Sequence, residues 1–196
     1  YSHSQAMSSK NYTYLALGDS YTIGEQVATR DNFPHQTVAL LAKDNFSFQQ
    51  PVIVAKTGWT TDELQVGIAL AALDKKYDFV SLLIGVNNQY RGRDKAEYAQ
   101  QFEKLLKQSI QFAGNIPEHV FVLSIPDWGV TPFAEGRDRK QIADEIDAFN
   151  SINKDLASKY NVHYIDITPG TRQANNDLSL LAEDQLHPAG KAYSSW

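Results

Sequence analysis

The sequence predicts an α/β sandwich, a mostly parallel five-stranded sheet covered by helices on both faces. Five short apolar runs are spread along the whole chain, and amphipathic stretches with readable helix starts separate them. Strand–helix–strand alternation of this kind implies a parallel sheet with crossover helices. The middle run, DFVSLLIG at 78–85, is nearly continuous in apolar residues, as a central strand buried on both faces should be.

Taken in order, TYLALG from Thr13 is the first strand and PVIVA, Pro51 to Ala55, the second. Between the second and third strands, Thr60 and Glu63 have capping-box spacing ahead of Leu64, Ile68 and Leu73. DFVSLLIG is followed by Asp94 and Glu97, which repeat that spacing ahead of Tyr98, Phe102, Leu105, Leu106 and Ile110. HVFVLSIP, His119 to Pro126, is the fourth strand, ended by a proline that cannot continue a ladder. Ile142, Ile146, Phe149, Ile152 and Leu156 form the next helical stripe, and VHYIDI, Val162 to Ile167, is the fifth strand. The final PAGKAYSSW starts like a helix at Pro188 and stops after barely two turns, so it reads as a truncated helix. No linker or repeat divides residues 12–196, which read as one domain behind a polar leader at 1–11. That leader suits either a processed N-terminus, with a periplasmic or secreted location, or an added segment on a cytoplasmic protein.

Bulk properties exclude several classes. The net charge of −5, with Arg91, Arg93 and Lys95 as the densest basic group, argues against nucleic acid. The chain has no cysteine, which removes disulfides, thiolate metal sites and cysteine nucleophiles. No apolar run approaches the roughly 20 residues of a transmembrane helix. Phosphate-binding glycine loops and the His-Glu-x-x-His helix are both missing, so no nucleotide, cofactor or metal is expected.

In an open parallel sheet, binding residues gather at the carboxyl ends of the strands. The first strand delivers Gly18-Asp19-Ser20, the second Lys56-Thr57-Gly58-Trp59, the third Gly85-Val86-Asn87-Asn88, and the fourth Pro126-Asp127-Trp128. A late loop carries Asp184-Gln185-Leu186-His187-Pro188. A serine needs a base to become a nucleophile. Of the five histidines, His3 lies in the leader, His35 at a helix start, His119 before a strand and His163 inside one. His187 alone has a carboxylate, Asp184, three residues before it in a short loop, where it can fix the ring's tautomer. The same Asp-x-x-His-Pro spacing also suits a plain helix entry. An ester's developing oxyanion needs donors placed in advance, and the candidates are the Ser20 and Gly58 backbone amides and the Asn87 side chain. Read singly, Gly58 is a turn and Asn87 a capping residue. Read together, all the roles of a serine hydrolase fall at one sheet edge.

Gly18-Asp19-Ser20, Gly58, Gly85-x-Asn87 and Asp184-x-x-His187-Pro188 resemble, in order, the four blocks of the SGNH hydrolases, the GDSL esterase/lipase family. The resemblance spans roughly residues 12 to 190 and implies a flavodoxin-like three-layer α/β/α fold. It implies Ser20 as nucleophile, His187 as base and Asp184 as its orienting acid. The Ser20 amide, Gly58 and Asn87 would form the oxyanion hole. Tyr21 stands where the family name expects Leu, and Asn88 where the family often has Asp.

The expected reaction is ester hydrolysis through an acyl-enzyme, on a small-molecule, glycan or lipid ester. The near-minimal chain has no long apolar insertion to serve as a lid, which favours short acyl or acetyl groups. Lysophospholipase or thioesterase action on longer chains is the variant within the same mechanism, and a non-catalytic binding domain is the rival. Trp59, Asn88, Tyr90, Trp128 and Phe133 occupy expected rim loops and are candidates for lining the substrate site. Arg91 and Arg93 follow Asn87 closely, where they could meet an anionic group on the substrate, and read first as solvated surface arginines.

Overall fold

The computed structural model describes residues 10–73 and 75–196; His3 and the rest of residues 1–9 lie outside the described residues. In chain order the strands are β1 Asn11–Tyr12, β2 Tyr14–Asp19, β3 Ser47–Phe48, β4 Val52–Lys56, β5 Phe79–Leu83, β6 Val120–Leu123 and β7 His163–Ile165. The α-helices are α1 Ser20–Ile23, α2 Phe33–Lys43, α3 Thr61–Ala71, α4 Val86–Tyr90, α5 Lys95–Phe112, α6 Arg139–Lys159, α7 Thr168–Arg172 and α8 Gly190–Tyr193. The short β1 and β3 pair with each other, and the other five strands form one parallel sheet in the order β4-β2-β5-β6-β7.

That order is the flavodoxin-like one, and its topological switch point falls between β2 and β5. Connections leave these two strands toward opposite sides, which opens a crevice at their carboxyl ends. Ser20 follows β2 directly, and Asn87 lies two residues into the turn of helix that follows Gly85. The fold therefore brings these two side chains to the place where such sheets bind ligands.

Packing explains the layering. Helices α3, α5 and α6 lie side by side over β4, β5 and β7. Tyr98, Phe102, Leu105 and Leu106 of α5 are buried beside Leu15, Leu17, Val80 and Leu82. Each such side chain contributes about 1.5–3 kcal/mol on leaving water. On the other face, α2 covers the sheet only in part. A largely apolar cavity of about 460 Å³ remains between Phe33, Val38 and Leu41 of α2 and the strand residues Tyr14, Phe121 and Leu123.

Several boundaries differ from the sequence reading. His119 belongs to a 3₁₀ turn and β6 ends at Leu123, so the fourth strand is shorter at both ends. Helix α3 ends at Ala71, leaving Leu73 beyond it. Its start behaves as expected: the Glu63 carboxylate accepts from the Thr60 amide at 2.9 Å. At α5 only half of that device forms. Asp94 accepts from the Glu97 amide at 2.9 Å, while Glu97 turns forward to take the Gln101 side chain. In α6 the buried face runs through Ile142, Ile146, Phe149, Asn150, Asn153 and Ala157, and Ile152 and Leu156 sit at its edge. The C-terminal stretch forms α8, a single turn.

Candidate active site

Ser20 is presented by a sharp strand-to-helix turn. Asp19 ends β2 and caps α1, its Oδ1 accepting from the Tyr21 amide at 3.0 Å. Gly18 is needed for the close approach of this turn. A Cβ there would stand 2.1 Å from Thr22 Oγ1 and 2.6 Å from the Leu83 carbonyl oxygen.

His187 arrives from a loop that is tied off at its base. Leu181 bridges Pro188 in antiparallel fashion, and the Ala182 amide donates to the His187 carbonyl at 2.8 Å. Within the loop, Asp184 Oδ1 accepts from the backbone amides of Leu186 and His187, both at 3.0 Å. Its Oδ2 lies 2.5 Å from His187 Nδ1, and His187 Nε2 lies 2.9 Å from Ser20 Oγ. Burial pushes the Asp184 carboxyl up, but the His187 ring and the two amides outweigh it and hold the group below the usual carboxylate range. An ionised Asp184 requires the proton on Nδ1, which leaves Nε2 as acceptor toward the serine. The Tyr21 ring packs against the imidazole at 5.1 Å between centroids, and the imidazole itself is buried. Ser20, His187 and Asp184 thus form one continuous hydrogen-bonded chain.

The candidate oxyanion donors Gly58 and Asn87 follow β4 and β5, the strands on either side of β2. Gly58 adopts φ +86°, a left-handed conformation that favours glycine, in the turn after β4. Asn87 reaches across from α4. Its Nδ2 donates to the Trp59 carbonyl at 3.0 Å and to Asp19 Oδ2 at 3.5 Å. The first bond fixes the amide, and the second, at the limit of hydrogen bonding, leaves one N–H readily available to a developing oxyanion.

Asp19 is 1 % exposed. Burial drives its carboxyl up to about 7, with the Tyr21 and Asp19 amides pulling the other way. The folded chain therefore holds this proton more tightly than the unfolded chain, where the group titrates near 3.8. Stability contributed here falls as pH rises from about 4 to about 7. Asp19→Asn removes that loss while keeping an acceptor for the Tyr21 amide. Unfolding free energies from urea titrations of variant and wild type should agree near pH 4 and then diverge in the variant's favour by up to about 1.4 kcal/mol per pH unit. A difference that does not change with pH would contradict this assignment.

The five residues expected to line a substrate site separate into two groups. Tyr90 and Phe133 are 43 % and 46 % exposed and lie 6.4 Å apart. Trp128 is buried behind them, edge-on to Tyr90 at 5.2 Å, with its Nε1 donating to Gln89 Oε1 at 2.7 Å. The Arg137 guanidinium covers both Tyr90 and Trp128. Trp59 is half-buried and packs on Gly67 of α3. Asn88 is turned into the protein, where its amide accepts from the Thr61 amide at 3.1 Å and donates to the Thr61 hydroxyl at 2.9 Å. It clips α4 to the start of α3. Arg91 is exposed, as a solvated arginine should be, and its guanidinium also donates to the Gly58 carbonyl at 2.6 Å. Its spacing of four from Asn87, one helical turn, was the available signal.

Among the described residues, no group of three or more His, Asp or Glu side chains is placed to hold a metal ion. No helix among them is long and apolar enough to cross a membrane.

Comparison with known proteins adds to this picture. Residues 16–194 match the model of the GDSL-like Lipase/Acylhydrolase family. No curated protein sequence matches the chain. Among solved structures, the chain is similar to TesA, with 18 % identity, a TM-score of 0.71, and coverage of 93 % of this chain and 92 % of that one. It is also similar to Axe2, an acetylxylan esterase from Geobacillus stearothermophilus, with 18 % identity, a TM-score of 0.71, and coverage of 94 % and 90 %. AlinE4, an SGNH-hydrolase family esterase, gives 19 % identity, a TM-score of 0.68, and coverage of 95 % and 90 %.

Proposed function

The chain belongs to the GDSL-like lipase/acylhydrolase family and is a carboxylic ester hydrolase, and on that premise we propose that it works through an acyl-enzyme on Ser20 and prefers short acyl groups, acetyl foremost. The observation that carries the mechanism is the unbroken chain from Ser20 Oγ through His187 to Asp184, with contacts of 2.9 and 2.5 Å. In this mechanism His187 Nε2 takes the Ser20 proton as Oγ attacks the ester carbonyl. Asp184 stabilises the imidazolium that forms. The tetrahedral oxyanion is received by the Ser20 and Gly58 amides and by Asn87 Nδ2. Collapse of the intermediate passes the proton from His187 to the departing alcohol. Water, activated by the same Nε2, then releases the acid and restores Ser20.

The rim bears on the alcohol part of the substrate. Tyr90 and Phe133 form an exposed aromatic surface, suited to the face of a sugar ring in the alcohol part of the substrate. The likeness to Axe2, an acetylxylan esterase, supports the same direction. We expect kcat/KM on a series of p-nitrophenyl esters to fall by about tenfold or more from acetate to octanoate. Acetylated xylo-oligosaccharides should release acetate. A kcat/KM that climbs steadily toward long chains would overturn the short-acyl reading and leave the ester chemistry intact.

A further inference from the structure

We propose that Arg91 is a positioning residue for the oxyanion hole, holding the Gly58 loop in register with Asn87. The inference rests on the reading of Gly58 and Asn87 as oxyanion donors. Two consecutive carbonyls of that loop face the α4 region, and each takes a donor from it. Asn87 Nδ2 donates to the Trp59 carbonyl at 3.0 Å, and Arg91 Nη2 donates to the Gly58 carbonyl at 2.6 Å. Asn87 and Arg91 are one helical turn apart, and the Arg91 amide closes that turn on the Asn87 carbonyl at 3.0 Å. The two side chains therefore act as adjacent prongs of one clamp.

The clamp is anchored on a third element. Arg91 Nη1 donates to Glu63 Oε1 at 3.2 Å, and Glu63 Oε2 accepts from the Thr60 amide at 2.9 Å. Thr60 caps α3 and terminates the same loop. A planar guanidinium with fixed donor directions can hold a carbonyl and a carboxylate at once, which an ammonium on a flexible stem does less well. Gly58 is where such a hold has the most effect. The Gly58 carbonyl and the Trp59 amide share one peptide, held by Arg91 at the carbonyl and by the Lys56 carbonyl at the amide, 3.2 Å. This peptide is joined through the left-handed φ of Gly58 to the plane that carries the Gly58 amide, and the position a Cβ would occupy lies 3.6 Å from Arg91 Nη2. An oxyanion hole works because its donors need no reorganisation when charge develops.

Magnitudes separate this role from a stabilising one. The Arg91 and Glu63 side chains are each 39 % exposed. Exposed ion pairs of this kind contribute little to folding, so removing Arg91 should leave a folded protein. Arg93 is a matched control: it approaches Asp62 of the same helix at 3.9 Å and makes no hydrogen bond to the Gly58 loop.

The test compares Arg91→Ala, Arg91→Lys and Arg93→Ala with the wild type and with Asn87→Ala, using the neutral substrate p-nitrophenyl acetate. Arg91→Ala should lower kcat about 10- to 100-fold with KM within about twofold, because a misplaced donor is felt in the transition state. Arg91→Lys should recover part of that loss, and Arg93→Ala should match the wild type. A kcat for Arg91→Ala within twofold of wild type, or a loss confined to KM, would overturn the proposal. If Asn87→Ala also retains full kcat, the oxyanion reading beneath it fails as well. A loss in Asn87→Ala alone rejects only the role of Arg91.

Discussion

Ser20→Ala is expected to lower kcat for a short-chain ester on the order of a millionfold, and His187→Ala to do nearly the same. The two residues are linked by a 2.9 Å hydrogen bond and act in the proposed mechanism as one proton-transfer unit. Without the hydroxyl there is no atom to acylate, and without the imidazole the hydroxyl keeps its proton. The double variant should therefore be no worse than either single one. Steady-state kinetics on p-nitrophenyl acetate reads all three. Additive losses would mean that the residues act independently, and retained activity in Ser20→Ala would remove the nucleophile from the scheme. Neither substitution should unfold the chain, since each trims a polar group at the rim of the sheet and leaves the apolar layer untouched.

The second large effect belongs to Asp184→Asn, with an expected loss in kcat of about 10⁴. Asp184 has two separable tasks, one for each oxygen. Oδ1 holds the loop by accepting from the amides of Leu186 and His187, and an asparagine carbonyl can keep both bonds. Oδ2 faces His187 Nδ1, where an asparagine would present an N–H donor instead. The imidazole would then carry its proton on Nε2 and point a donor at Ser20, the tautomer that cannot act as base. The variant should thus stay folded, its melting temperature lowered by no more than about a few degrees for the lost carboxylate, and lose turnover. Asp184→Ala should lose turnover and also loosen the loop. Wild-type rates in Asp184→Asn would show that the carboxylate does not set the tautomer.

Much of this architecture was legible in the residues because long buried elements advertise themselves. The run at 78–85 is apolar but for Asp78, Ser81 and Gly85 because β5 is the central strand of the sheet, and α5 shows its stripe over more than three turns, from Tyr98 to Ile110. Parallel strands fix direction, so the residues after each strand could be assigned to one rim before any coordinate was known. Ser20 follows from that rule and His187 was marked by the spacing of Asp184, while the meeting of the two, 167 positions apart, was implied by the resemblance to the SGNH hydrolases. Short elements were harder to read. Helix α4 has five residues, too few for a periodic signal, and neighbouring positions on a helix point about 100° apart. Asn87 therefore faces the crevice while Asn88 is clipped to Thr61 inside the protein. Trp128 was placed on the right loop, but its burial depends on Gln89, a partner 39 positions away that no local pattern marks. The partly covered sheet face has the same origin, because it depends on how many helices cross to that side. The two tasks of Arg91 depend likewise on a turn and a helix cap that meet only in the folded chain.

The central claim is that Ser20 is an activated nucleophile, and covalent labelling tests it most directly. Intact-mass analysis after treatment with a small fluorophosphonate would compare native protein, Ser20→Ala and His187→Ala, each confirmed as folded by circular dichroism. The account expects a single adduct on Ser20 of the native protein, none on Ser20→Ala, and labelling of His187→Ala slowed to near zero. A folded native protein that takes no adduct, or takes it on another residue, would contradict it.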